Sequence, residues 1–253
     1  MPAVHHTRHD EGVLVLTLDR PPANAINEEL LADLHAAVAL ARDDASVRAV
    51  VITGKGAFFS GGFDFAAPRR DDAVAFDLYD LYRECHLALL TLPKPTVAQV
   101  GGHAIAGGFV LALACDFRIA VDADFRIGMN EVEVGASFPR AAFEIVRLRL
   151  THAAASELIL GARLLASASG LASGAFTEVL PREGFDASVL ERAARLARFP
   201  REAYAHSKAA FVAESAARIR AETSEDALAT MTVWITEESR AARRRQRDKL
   251  GVH

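Results

Sequence analysis

Residues 96–116 read TVAQVGGHAIAGGFVLALACD. Thr96–Val100 is a β-branched, largely apolar run of strand length. Gly101–Gly108 is glycine-rich, and Phe109–Cys115 carries no polar side chain and predicts a buried helix. The same order recurs upstream. Val47–Thr53 predicts a strand, Gly54–Phe65 a Gly-rich loop, and Asp71–Leu92 a long helix ended by Pro93 and Pro95. Gly12–Asp19 and Phe117–Val121 predict two further strands. Repetition of strand, loop and helix points to an α/β fold with mostly parallel pairing.

Between the first two strands, Asn27 is placed to cap a helix that buries Leu30, Leu34, Val38 and Ala41, with Glu28 and Glu29 at the positive end of its dipole. From Pro139 onward the pattern is mainly helical. Thr151 is read as the cap of a helix through Leu160, and Phe176–Leu180 as a last strand. Beyond Phe185 no strand pattern remains. Pro200 separates two helical segments, and Met231–Lys249 predicts a terminal helix. A boundary near residue 195 therefore divides an α/β core, 1–195, from a helical region, 196–253. No solenoid-type repeat is visible.

A chain of 253 residues buries about 70–75% of its unfolded surface, so a full core forms without disulfide or metal staples. A hydrophobic fraction of 51% with 25% charged residues describes a globular chain. The net charge of −4 argues against nucleic-acid binding. Cys85 and Cys115 are too few for a disulfide framework or a common metal cage. Met1–Asp10 shows no signal-peptide pattern, so a cytoplasmic setting is expected. The longest apolar run, Ala104–Cys115, is shorter than the ~20 residues that span a bilayer, so no membrane partner is expected. The dinucleotide fingerprint, the P-loop, the zincin helix and the nucleophile elbow are all absent from the sequence.

Two Gly-rich loops remain as chemistry, Ala57–Phe65 and Gly101–Gly108. The second runs straight into an apolar helix, so the amides of Gly107 and Gly108 carry the dipole's positive end. Two amides converging on one oxygen stabilise an enolate or tetrahedral oxyanion, each worth on the order of 3 kcal/mol. Taken singly, either loop is read rather as a tight turn packed closely on a helix, because Gly-rich loops between strand and helix are common.

Four segments together resemble the crotonase (enoyl-CoA hydratase/isomerase) superfamily. Phe59-Ser60-Gly61-Gly62-Phe63-Asp64-Phe65 is similar to its F-x-[AS]-G-x-D-[LI] segment, and Gly101–Asp116 to its second glycine motif and buried helix. Arg20–Asn27 (RPPANAIN) resembles R-P-x-x-N-A-[LI]-[ND], and Gly128–Gly135 (GMNEVEVG) resembles P-E-x-x-[LI]-G. The matches keep the family's order and cover residues 12 to about 180.

The resemblance implies a ββα spiral core with a C-terminal helical region that packs against other subunits in a homotrimer or homohexamer. It implies acyl-CoA substrates whose thioester carbonyl is polarised by the backbone amides of Phe63 and Gly107. Ala25, Gly61, Gly62, Phe63, Asp64, Phe65 and Ala66 match the backbone that holds the CoA moiety. It implies no separate cofactor and no metal. Of the two glutamates that hydrating members use, the one in P-E-x-x-[LI]-G is matched by Glu131, while the helix position is Val110. A valine handles no proton. One carboxylate suffices to move a proton between two carbons, so double-bond isomerisation by Glu131 is favoured over hydration. Burial beside Val132 and Val134 is expected to raise the pKa of Glu131. Glu133, two residues on, would share its face in an extended chain and is read either as a second acid or as a solvated charge.

Other candidates have plain readings. His5, His6 and His9 are assigned to a frayed terminus. His103 is expected to bond local backbone, Asp64 to fix its loop, Ser60 to lack a catalytic partner, and Cys85 and Cys115 to fill helix faces. Arg69 and Arg70 are read as contacts to a CoA phosphate or as surface charges. Arg240–Lys249 is read as a solvated helix end. Phe63, Phe65 and Phe76 suggest a bulky pocket lining. Three activities stay open: an isomerase of unsaturated acyl-CoA, a 2-enoyl-CoA hydratase, and a non-catalytic acyl-CoA-binding protein.

Overall fold

The computed structural model describes residues 2–64 and 72–250, with side chains for all of these except 72–76, 247, 249 and 250. The expectations placed on Phe65, Ala66, Arg69 and Arg70, and on the Phe76 side chain, lie outside the described residues.

The chain opens with β1 (Val4–His9) and β2 (Val13–Leu18), then α1 (Glu28–Asp43). Asn27 caps α1 by accepting a hydrogen bond from the Leu30 amide, and Leu30, Leu34, Val38 and Ala41 are buried as their spacing requires. Three turns of similar plan follow. The first is β3 (Ala49–Gly54), β4 (Phe58–Ser60) and α2 (Asp72–Leu90). The second is β5 (Thr96–Val100), β6 (His103–Ile105) and α3 (Gly107–Ala114). The third is β7 (Phe117–Val121), β8 (Arg126–Gly128) and, after a turn, α4 (Arg140–Arg149). Then come α5 (His152–Ile159), β9 (Leu164–Ala166), α6 (Gly170–Ser173), β10 (Glu178–Leu180), α7 (Phe185–Ala197), α8 (Arg201–Arg220), α9 (Ser224–Trp234) and α10 (Glu237–Leu250). Thr151 caps α5 as expected, accepting from the Ala154 amide.

Each of the three turns gives its first strand to one sheet and its second strand to another. The larger sheet runs β1-β2-β3-β5-β7-β10, with only β1 antiparallel to its neighbour. The smaller runs β4-β6-β8-β9, with β4, β6 and β8 parallel and β9 antiparallel. This is the ββα spiral. The repeat lives in the backbone path and leaves no repeated residue pattern.

Several expectations are corrected. His5, His6 and His9 sit on β1, paired with β2 from Val4↔Leu18 to His9↔Val13, so the terminus is not frayed. The Ala3 amide also donates to Asp33 at 2.7 Å. Both Gly-rich loops contain a short strand, β4 and β6, and β8 and β9 were not anticipated. Three-residue strands show no readable alternation and are held by their neighbours. The predicted helix Met231–Lys249 is two helices. It breaks between Trp234 and Glu237, where the Thr236 hydroxyl accepts the Ser239 amide and restarts the helix.

The helices after Pro200 are tied to the spiral by a buried polar knot. Asp116, at the end of α3, accepts from the Thr96 amide and hydroxyl (both 3.0 Å), the Tyr204 hydroxyl (2.9 Å) and the Lys208 ammonium (2.8 Å). No helix among the described residues is long and apolar enough to cross a membrane.

Candidate active site

Phe63, Gly107 and Glu131 each lie two or three residues beyond the end of β4, β6 and β8, which are adjacent parallel strands of the small sheet. The carboxyl edge of that sheet therefore gathers all three, with Gly107 following β6, the strand between β4 and β8. Ligand sites commonly form outside the carboxyl ends of parallel strands.

The first loop is held by Arg20–Asn27. Asn24 is buried, and its amide donates to the carbonyls of Phe58 (2.8 Å) and Lys55 (3.1 Å) while its oxygen accepts the Arg20 amide (2.9 Å). The Ser60 hydroxyl donates to the Asn24 carbonyl at 2.8 Å, which accounts for Ser60 structurally. The Arg20 guanidinium meets the Ala25 carbonyl (3.1 Å) and the Asp64 carboxylate (2.6 Å), so Asp64 anchors its loop through an ion pair. Ile26 and Phe63 form a parallel bridge, with the Ile26 amide bonded to the Gly62 carbonyl and the Asp64 amide to the Ile26 carbonyl. In such a bridge the amide of Phe63 itself faces away from Ile26.

The two loops touch at Gly62. Its φ is +82°, and a Cβ there would stand 2.7 Å from the Ala106 Cβ and 3.2 Å from the Gly107 nitrogen. Ala106 is a non-glycine residue at φ +53°, held by its amide on the Gly128 carbonyl at 2.7 Å. Strain of this kind persists only where surrounding structure enforces it. Here it sets the peptide that carries the Gly107 amide, the first residue of α3, which has no acceptor within its own helix.

Glu131 opens a tight turn in which its carbonyl accepts the amides of Val134 (3.1 Å) and Ala136 (2.8 Å). The turn departs from the extended chain that would have aligned Glu133 with it, and Glu133 is exposed, as is Val132. Val134 is buried as expected. Three glutamates are buried among the described residues. Glu144 pairs with Arg147 and Arg218, and Glu222 accepts from the Tyr79 hydroxyl and the Arg140 amide. Glu131 has a side-chain oxygen, Oε2, with no hydrogen-bond partner among the described residues. Burial pushes its pKa up to about 8, against the weaker opposing pull of backbone amides at Glu131 and Asn130. Such a carboxyl accepts and returns a proton near neutral pH. Val110 is fully buried one turn into α3 and offers no second carboxylate.

Tyr82, Tyr79 and Trp234 were not anticipated. Tyr82 Cε2 would lie 3.4 Å from a Cβ on Gly107, its ring lies 5.0 Å from that of Phe63, and its pKa is raised by burial first and by the neighbouring Glu131 second. It neighbours all three candidate groups. The sequence signal was available: Tyr79, Tyr82 and His86 fall at helical spacing on one face of α2. His86 is buried against Tyr82, ring centroids 3.8 Å apart, and burial pushes its pKa down to about 4, so it is a neutral ring.

The remaining candidates are placed outside this chemistry. His103 Nδ1 accepts the Arg126 amide at 3.0 Å. Cys85 and Cys115 are buried free thiols, their pKa values pushed to about 12 by burial. Within the basic run, Arg243 is not a solvated charge, because its guanidinium donates to the Gly135 carbonyl (3.2 Å) and to the Trp234 carbonyl.

A model of the enoyl-CoA hydratase/isomerase family matches residues 8–245. The chain belongs to that family. A carnitinyl-CoA dehydratase of Citrobacter koseri is 31% identical over 195 residues, 77% of this chain and 74% of that protein. A probable enoyl-CoA hydratase of Bacillus subtilis is 34% identical over 129 residues, about half the length of each (50% and 49%). Among solved structures, an enoyl-CoA isomerase of Mycobacterium tuberculosis is 35% identical with a TM-score of 0.80, covering 87% of this chain and 95% of that one. The same mycobacterial protein in a second structure is named probable enoyl-CoA hydratase EchA3, with a TM-score of 0.83 at 34% identity, covering 92% of this chain and 97% of that one. Family members of this likeness thus carry the names of different reactions, and the family model spans both spiral and C-terminal helices.

Proposed function

We propose that this protein isomerises unsaturated acyl-CoA thioesters, moving a 3,4 double bond to the 2,3 position. Glu131 takes a proton from the carbon next to the thioester carbonyl. The electron pair of that C–H bond shifts toward the carbonyl oxygen, giving an extended enolate. The amides of Phe63 and Gly107 hold the negative oxygen. Glu131 then returns the proton two carbons further along, so atoms and charge balance with one acid–base group. The reading calls on no metal or redox cofactor.

The observation that carries this is a buried carboxyl at the carboxyl edge of β4-β6-β8, raised in pKa by burial, with Val110 rather than a second acid on α3. Hydration of 2-enoyl-CoA is the second reading, favoured by the hydratase and dehydratase names of relatives. Purified protein is given 3-enoyl-CoA and 2-enoyl-CoA separately. A 2-enoyl product from the first substrate, with no hydroxyacyl product from the second, supports isomerisation. Hydroxyacyl product from the second supports hydration. Saturable binding with neither product identifies a non-catalytic acyl-CoA-binding protein.

Self-association as a homotrimer or homohexamer is part of the same proposal. It draws support from Leu228, Val233 and Ile235, which α9 and its end leave exposed. Light scattering of the purified protein measures it. A cytoplasmic setting fits two cysteines kept as buried thiols.

A further inference from the structure

Beside Phe63 a second apolar cluster stands apart from the main core. It comprises Tyr79 of α2, Val134 and Ala136 of the Glu131 turn, and Ala227, Met231 and Trp234 of α9, with the Phe63 side chain packed against it. Trp234 meets the Phe63 ring edge-on at 5.7 Å and lies 6.4 Å from Tyr79. The polar ends of both aromatics are bonded to the surrounding frame. The Trp234 indole donates to the Ser137 carbonyl at 2.8 Å, and the Tyr79 hydroxyl donates to Glu222 at 2.7 Å. Their apolar bodies are thereby fixed toward Phe63.

Consider an acyl thioester seated as the proposed function requires. Its carbonyl oxygen lies at the Phe63 and Gly107 amides and its next carbon at Glu131. The apolar surface that continues from Glu131 is Val134 and Ala136, and α9 closes on that surface with Met231 and Trp234. Arg243 locks the closure by bonding the carbonyls of both Gly135 and Trp234. The wall is braced rather than open-ended.

We propose that Trp234, backed by Met231 and Tyr79, is the end wall of the acyl pocket and restricts the substrate to short acyl chains. The inference rests on the acyl-CoA reading of the site and adds its chain-length class.

Saturated straight-chain acyl-CoAs of four to twelve carbons, which bind but do not react, are titrated calorimetrically into the full chain and into Trp234→Ala. Each methylene that enters an apolar pocket raises affinity about fourfold. For the wild type the rise is expected to stop at a short chain, with longer chains binding no better or worse. In Trp234→Ala the rise should continue for at least two further carbons, at least a tenfold gain for the longer ligand. Met231→Ala, a milder change in the same wall, should move the stop in the same direction and covers the case in which Trp234→Ala does not fold. An identical stop in wild type and folded variants overturns the wall, as does a wild-type rise that continues to twelve carbons. Absence of binding at every chain length removes the acyl-CoA reading and the inference together, a result distinct from a wall that does not move.

Discussion

Gly62 and Ala106 are in such close approach that a methyl group on Gly62 would stand 2.7 Å from the Ala106 Cβ. Both residues hold positive φ, +82° and +53°. This contact joins the two loops that carry the candidate amides, so their separation depends on Gly62 having no side chain. Gly62→Ala is expected to cost about 2–4 kcal/mol from backbone strain and overpacking. In urea unfolding that appears as a lower midpoint. In the fraction that stays folded, kcat/KM on 3-enoyl-CoA should fall at least tenfold. Full turnover in a folded variant would show that the loop contact does not set the amides.

Removing the base while keeping its shape separates chemistry from binding. Glu131→Gln leaves the turn's backbone bonds in place and deletes the proton acceptor. Turnover should drop by about a thousandfold, within the usual range for a general base. Affinity for a saturated acyl-CoA should stay within about threefold. Retained turnover would remove Glu131 from the mechanism.

The same carboxyl links stability to pH. Its pKa in the folded protein is raised from 4.5 to about 8 by burial, so between those values the folded state binds more protons than the unfolded one. Stability is therefore greatest below about pH 4.5 with respect to this group, and is lost as pH rises through about 8. The full effect approaches about 5 kcal/mol as an upper bound. Glu131→Gln should match the wild type near pH 4 and exceed its stability at pH 9 in paired denaturant titrations. Parallel pH profiles for the two proteins would mean that Glu131 is not buried in solution.

The large sheet was legible because its inner strands are apolar runs such as Val47–Thr53 and Phe117–Val121, and because Asn27 and Thr151 announce their helices. The small sheet was not. Its strands are three residues long, two of them inside glycine-rich stretches, and their pairing is a product of the spiral rather than of local pattern. Yet that sheet is what brings Phe63, Gly107 and Glu131 to one edge. Gly107 was marked by its place at the start of an apolar helix, but Phe63 and Glu131 were matched to their roles by family resemblance, which records the outcome of pairing without explaining it. Trp234 and Arg243 were missed for a related reason. Nothing in a single helical pattern over Met231–Lys249 shows that the chain breaks after Trp234 and folds back on the Glu131 turn.

Val110 tests the account of the missing acid. The position is fully buried on α3, so a carboxylate there carries a desolvation cost of several kcal/mol and will itself be partly protonated. In Val110→Glu the melting temperature should fall, and hydroxyacyl-CoA formation from 2-enoyl-CoA should rise above the wild-type rate. Chromatographic product analysis reads this directly. Unchanged water addition in a folded variant would show that a second carboxylate on α3 is not what separates hydration from isomerisation here.

Arg243 reaches from α10 to the Gly135 carbonyl, four residues along the turn from Glu131, and to the Trp234 carbonyl at the end of α9. A planar guanidinium serves two carbonyls at once in a way a lysine ammonium does not. Arg243→Ala frees the end of the Glu131 turn while leaving Glu131 itself unchanged. Loosening of that kind displaces the carboxyl from the substrate carbon, and misplacement lowers the rate of proton transfer more than it weakens binding. The expected result is a kcat three- to tenfold lower with KM within about twofold, and Arg243→Lys should recover little of it. If kcat is unchanged while KM rises, Arg243 serves binding of the thioester instead, and its bonds to the turn carry no catalytic consequence.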